Sequence, residues 1–154
     1  MPQGHSNLEA TMEWTGGCLC GAVRYRAAGE PVGACHCHCD RCRRHSGAAF
    51  ASAIGFADEN VTWTNGEPSR YHSSPSCARL FCANCGSTMA QYWVDIGMLW
   101  PYVGTLDDPA SVVPEFHMFT EEQLPWVKLD DGLPCYSKFP PTRKGKEGDE
   151  TFPD

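Results

Sequence analysis

"ACHCHCDRCRRH", residues 34–45, sets four cysteines, three histidines and three arginines into twelve positions. Cys35, Cys37 and Cys39 alternate with His36 and His38, the period-two pattern of a β-strand whose successive side chains leave on opposite faces. After Cys39 the alternation stops, and the stretch reads as one short helical turn. Cys37-x-Cys39-x-x-Cys42 therefore joins a strand-type spacing to a turn-type spacing. Three thiolates leave a tetrahedral ion one open position, as catalytic zinc sites have. If the strand runs back through Cys35, that sulfur shares the face of Cys37 and closes the site instead. Spacing alone allows both readings.

Outward from this stretch, short strand signals dominate. "GAVRYRA" (21–27) alternates Val23 and Tyr25 against Arg24 and Arg26. "AAFASAIGF", "VTWTN", "SRYHSS", "ARLFC", "TMAQYWV", "LWPYVGT" and "EFHMF" are further runs rich in aromatic or β-branched residues. Gly, Pro, Asn and Asp punctuate them, as turns require. Helix is expected at two places at most, one turn after Cys39 and one near "LDDPAS". The expected fold class is mainly β, a single domain with at most one or two short helices. Residues 1–12 and the charged 141–154 are expected to be disordered ends.

The chain has 154 residues, enough to bury a core, and a formal net charge of −7 from 19 acidic against 12 basic residues. That balance excludes a broad nucleic-acid surface, which needs a basic excess. The densest local basic cluster is Arg41, Arg43 and Arg44. No apolar run approaches the length of a membrane span, and residues 1–10 hold no apolar segment. A cytoplasmic location with no membrane and no nucleic-acid partner is expected. Ten cysteines in tight C-x-C and C-x-x-C spacings then point to metal rather than to a disulfide framework.

Two more cysteine pairs stand apart. Cys18 and Cys20 in "GGCLCG" are two apart at the expected start of a strand, where both side chains leave on one face. Cys82 and Cys85 in "FCANCGS" form a C-x-x-C-G turn, with Gly86 free to take positive φ. Each pair offers two ligands where a structural zinc takes four. Joining them completes a set, although spacing by itself does not dictate that pairing.

"GGCLCGAVRY" (16–25), "CHCDRCRRHSGAAF" (37–50), "RLFCANCGS" (79–87) and "LPWVKLDDGLPCYSKFP" (124–140) occur in one order. From about Trp14 to Phe139 the chain resembles the glutathione-dependent formaldehyde-activating enzyme family, which includes the centromere protein V type. The resemblance implies a β-tent zinc fold of short antiparallel sheets over residues 13–140. It implies a structural zinc on Cys18, Cys20, Cys82 and Cys85, and a second, catalytic zinc on Cys37, Cys39 and Cys42 with Arg43 beside it. The implied reaction joins glutathione, as co-substrate, to formaldehyde through a new carbon–sulfur bond. The chain departs from the family pattern at Cys35, an additional cysteine, at Gln123, where a basic residue is usual, and at Cys135.

The chemistry of those residues is coherent. A thiol is a poor nucleophile while protonated, and zinc coordination deprotonates it at neutral pH. Addition of a small thiol to an aldehyde develops an oxyanion, for which Arg43 and Arg44 are the nearest cations in sequence. The competing reading is a non-catalytic zinc module with two closed sites that acts through a protein partner. His36 and His38 are expected to point away from the metal, His45 to be a solvated turn residue, and His72 and His117 to be structural. Cys77 and Cys135 are expected to be buried, and Trp63, Trp93, Trp100 and Trp126 to be mostly core. Arg24, Arg26, Arg70 and Arg79 either line a thiol pocket or form a solvated strand face.

Overall fold

The computed structural model describes residues 12–140. The two expected disordered ends lie, except for Met12, outside the described residues. Ten strands and one α-helix follow in chain order: β1 (Glu13–Gly17), β2 (Arg24–Ala28), β3 (Gly33–Cys37), α1 (Asp40–Ser46), β4 (Ala51–Ala57), β5 (Val61–Asn65), β6 (Ser69–Ser74), β7 (Cys77–Phe81), β8 (Thr88–Trp93), β9 (Met98–Pro101) and β10 (Phe116–Met118). Single 3-10 turns link several of them, including Pro109–Ser111 within "LDDPAS". The mainly β expectation and both helical turns are met.

The strands form two sheets, a small one in the order β1-β2-β5 and a large one in the order β10-β3-β4-β9-β8-β7-β6. Pairings are antiparallel except β10 with β3, which run parallel with His117 opposite His36. The expected short antiparallel strands make up both sheets, with this one parallel pairing added at an edge. β10 follows a connection through two 3-10 turns and returns to the edge of β3 from the same end, which forces the parallel register. β1 carries too few β-branched residues to be legible as a strand, yet its five residues pair fully with β2.

Alternation along the large sheet sorts its side chains into two layers. Ala34, Ile54, Phe56, Ala78, Leu80 and Leu99 face the small sheet and meet Tyr25, Ala27 and Trp14, with the Trp14 and Phe56 rings 5.2 Å apart. Fully burying a side chain such as Phe56 or Leu80 contributes about 2 kcal/mol. On the other face lie Cys35, Cys37, Ala51, Ala53, Trp100 and Tyr102, covered by Cys42 of α1. Of the tryptophans expected in the core, Trp100 is buried, Trp63 and Trp93 are half-buried, and Trp126 is 68 % exposed.

The arginines of β2 belong to the scaffold. Arg24 Nη1 donates to Asp107 Oδ1 at 2.9 Å and Thr15 Oγ1 donates to Asp107 Oδ2 at 2.7 Å, tying β1 and β2 to the turn after Leu106. Arg26 lies 3.9 Å from Glu13. The Arg24 guanidinium, then the Thr15 hydroxyl, hold the Asp107 carboxyl down to about 2. A depressed carboxyl stabilises the fold above the ordinary carboxylate range and loses that contribution as pH falls toward 2. Asp107→Asn should therefore lower stability near neutral pH by at most about 1 kcal/mol, because the pair is solvent-screened. Urea titrations across pH should show that gap closing as both proteins approach pH 2.

Candidate metal centres

Two turns bring the first set of sulfurs together. Cys18 and Cys20 lie in the turn between β1 and β2, not on a strand, so turn geometry rather than a shared strand face brings them to one point. Cys18 N donates to Val23 O and Gly21 N to Cys18 O, with Gly21 at φ 79°. Cys82 directly follows β7, and Gly86, at φ 78°, donates its N–H to Cys82 O at 2.8 Å. Both turns need the left-handed conformation that glycine adopts without strain. Leu19 N donates to Ser87 Oγ at 2.9 Å and locks one turn onto the other.

The four sulfurs of Cys18, Cys20, Cys82 and Cys85 all lie within 4.8 Å of one another. Cys18 and Cys20 are 3.6 Å apart, and Cys20 and Cys82 are 3.9 Å apart. Sulfurs at about 2.3 Å from a tetrahedral zinc are about 3.8 Å from each other, so the group fits that ion. All ten cysteines are free thiols. Hydrogen bonds from the Ser87 hydroxyl and backbone push the Cys85 thiol down to about 5, the direction a metal ligand requires. Asn84 Nδ2 donates to Cys20 Sγ at 3.3 Å.

The second set is Cys37, Cys39 and Cys42, also mutually within 4.8 Å. Cys37 ends β3, Cys39 caps the N-terminus of α1 by accepting from Cys42 N at 3.3 Å, and Cys42 follows one turn later. Cys37 and Cys42 are buried, and Cys39 is half-buried, so the group opens on the Cys39 side. Cys35 lies on the same face and in the same apolar cluster, but its sulfur stands outside the group of three. Phe119, packed on this cluster, is the one described non-glycine residue at positive φ, 56°.

A buried cation backs these sulfurs, and it is not one of the arginines beside them in sequence. Arg79, 5 % exposed, donates from Nη1 to Gln91 Oε1 at 3.0 Å and lies 3.6 Å from Cys42 Sγ, while its Nε donates to Ser73 Oγ at 3.1 Å. Strand alternation turns Arg79 toward the thiols because Ala78 and Leu80 turn toward the small sheet. Arg43 donates from Nε to His38 O at 3.2 Å, joining α1 to the end of β3. Arg44 is exposed and donates to Asp40 at 2.9 Å. Arg70 lies over the Tyr92 ring at 5.3 Å on the opposite face of the sheet.

The electrostatics follow from this layout. Contacts with the Cys37 and Cys39 thiols, and then the Arg79 charge, hold the Cys42 thiol well below its usual range despite burial. Cys37, donating to Cys39 and Cys42 and buried, is pushed up. Burial opposes the Arg79 charge most strongly, but Cys42, Cys77 and Tyr102 together outweigh it and raise the guanidinium. Burial, and then Cys42, raises Tyr102, so its phenol keeps its proton. His45 is pushed down to about 4 by burial and then by Arg79, and is neutral at pH 7.

His45 is thus no solvated turn residue. Its Nδ1 lies 3.1 Å from the Tyr102 hydroxyl, and its Nε2 is buried without a partner, as is Trp100 Nε1. The Trp100 N–H thus has no acceptor, and the second nitrogen of His45 has no hydrogen-bond partner. His36 and His38 lie on the opposite face of β3, bonded to Ser52 and His117. His72 is exposed, His117 buried, Cys77 buried, and Cys135, expected inside, is exposed.

Comparison with known proteins agrees with the motif order. The sequence profile of the glutathione-dependent formaldehyde-activating enzyme family matches residues 13–122. The chain belongs to the glutathione-dependent formaldehyde-activating enzyme family. Within that family, a Halomonas elongata protein carrying the family's name is 27% identical over 140 residues, 81% of this chain and 87% of that protein. An uncharacterized lyase of Schizosaccharomyces pombe is 34% identical over 77 residues, which span 50% of this chain and 56% of that protein. The fold is shared with a Rhodobacter sphaeroides protein of known crystal structure, at TM-score 0.51 and 20% identity, over 79% of this chain and 98% of that one.

The position of Cys35 generates a direct test. Cys39→Ser should lose one bound zinc per chain relative to wild type, measured by elemental analysis of purified protein, while Cys35→Ser should keep the wild-type content. Equal loss in both variants would mean that Cys35 is a fourth ligand.

Proposed function

We propose that the chain is a zinc-dependent carbon–sulfur lyase working in the synthase direction, which adds glutathione or a related small thiol to formaldehyde or a small aldehyde. The observation that carries this reading is a group of three sulfurs, open on one side, backed by a buried arginine. Cys18, Cys20, Cys82 and Cys85 would hold a structural zinc. Cys37, Cys39 and Cys42 would hold a second zinc, which, when bound, supplies Lewis acidity that keeps an incoming thiol deprotonated. Family membership supports an enzyme of the formaldehyde-activating type, and Cys35 standing apart from the three sulfurs favours an open site over a closed binding module. Ten free thiols suit a reducing compartment such as the cytoplasm.

The surrounding residues have separable roles. Three thiolates around a divalent ion carry net −1, and an exogenous thiolate makes it −2. Buried charge of that size needs a counter-ion. Arg79 supplies it from a position fixed by Gln91 and Ser73. In the reaction the thiol sulfur bonds to the carbonyl carbon, the carbon–oxygen π bond breaks toward oxygen, and the thiol proton returns to that oxygen through solvent. The developing oxyanion needs preorganised donors, and the unpartnered N–H of Trp100 is in this layer of the molecule. Arg43 positions α1 through the His38 carbonyl, and the exposed Arg44 attracts an anionic thiol at longer range.

Titrating glutathione into cobalt-substituted protein should shift the sulfur-to-cobalt absorption, and no shift would remove the open-site reading. Arg79→Met should retain cobalt at the three-cysteine site yet bind glutathione about ten- to a hundredfold more weakly, as loss of a buried charge partner does. Trp100→Phe should leave binding near wild type and lower turnover about tenfold or more, the effect of removing one oxyanion donor.

A further inference from the structure

We propose that His36, His117 and Asp131 form a third metal site, for a divalent first-row transition ion, with two imidazoles and one carboxylate as donors. One ligand atom from each of the three lies within 4.8 Å of the others. The parallel register of β10 on β3 sets His36 and His117 side by side, with ring centroids 4.6 Å apart. Asp131 reaches them from the segment after Trp126, with its Oδ2 2.7 Å from His117 Nε2.

What marks the cluster as a metal site is the division of labour among its atoms. Metal-binding imidazoles use one nitrogen as ligand and have the other fixed by a hydrogen bond, and ligating carboxylates are fixed likewise. Here His36 Nδ1 is 2.7 Å from Ser52 Oγ, leaving Nε2 as its ligand atom. His117 Nδ1 is 2.9 Å from His38 Nε2, leaving Nε2. Asp131 Oδ1 accepts from Leu133 N at 3.1 Å, leaving Oδ2. Each residue is thus oriented by a separate partner and offers one further donor atom.

His38, fully buried and with Nδ1 unpartnered, belongs to this orienting layer and is braced against the Phe50 ring at 4.9 Å. With the ion on Nε2, the His117 proton would sit on Nδ1 and be donated to His38 Nε2, whose own proton would then sit on Nδ1. Donors around a tetrahedral ion at about 2.0 to 2.1 Å are about 3.3 Å apart, so the contact between His117 Nε2 and Asp131 Oδ2 opens by about half an ångström. His117 is buried, His36 half-buried and Asp131 exposed, which gives the ion a path from solvent and room for water or a small ligand at the remaining positions. An imidazole and carboxylate set suits zinc, cobalt, nickel or iron(II) rather than calcium or magnesium. The site would clamp the segment carrying Asp131 onto β3, the strand that ends in Cys37.

The full chain, loaded with zinc on its cysteines, is titrated with cobalt(II). Uptake of one cobalt per chain without zinc release, giving weak visible bands but no intense sulfur-to-cobalt band, is the expected result. His36→Ala and Asp131→Ala, each with wild-type zinc content and far-ultraviolet circular dichroism, should take up that cobalt at least tenfold more weakly. No uptake by the wild type, uptake matched by zinc release with a sulfur band, or equal uptake by both variants would overturn the proposal. Because the readout excludes sulfur ligation, it does not depend on whether the cysteine centres catalyse thiol addition.

Discussion

Two glycine-dependent turns press four cysteine sulfurs within 4.8 Å of one another across 62 positions of sequence, and the placement of both sheets depends on that contact. One turn belongs to the small sheet and the other joins β7 to β8 of the large one. Free thiols at 3.6 and 3.9 Å bring unfavourable like charges together once ionised, unless a cation sits among them. Their packing and their chemistry therefore make one demand. With the sheets held at this corner, Tyr25, Phe56 and Leu80 close the layer between them, and the far face of the large sheet is left for the second group of sulfurs.

That far face shows how a sheet can keep a reactive group apart from its own core. Alternation sends Leu80 and Leu99 one way and Arg79 and Trp100 the other, so an apolar layer and a charged, thiol-bearing layer share the same strands. Arg79 keeps its charge while 5 % exposed because Cys42, Gln91 and Ser73 replace the water it lost. Strand β3 repeats the device, with Cys35 and Cys37 on one side and the His36–His117–Asp131 cluster on the other.

Much of the site could be read from the chain. The C-x-C and C-x-x-C pairs, the turn after Cys39 and the short strands are local patterns, and local patterns survive without tertiary information. Other features were out of reach for physical reasons. Arg79 looks like any strand arginine, since its partners Gln91 and Cys42 are 12 and 37 positions away. His45 follows three arginines and reads as solvated, yet Tyr102 and the sheet cover it. Trp126 reads as core, but its short turn carries it outward. Cys18 and Cys20 were expected on a strand face and instead lie in a turn, where glycine at position 21 rather than strand alternation aims the sulfurs.

The sequence by itself determined the fold class, the family and the two sets of metal-type cysteines, because each rests on residue type and on spacings of a few positions. Only the tertiary structure decided which cation faces the sulfurs, which buried nitrogens lack partners, and that Cys35 is not among the three mutually close sulfurs. It also decided that a parallel edge strand brings His117 beside His36. Those outcomes depend on long-range register and burial, through which water is removed from charged and polar groups, and no local spacing encodes them.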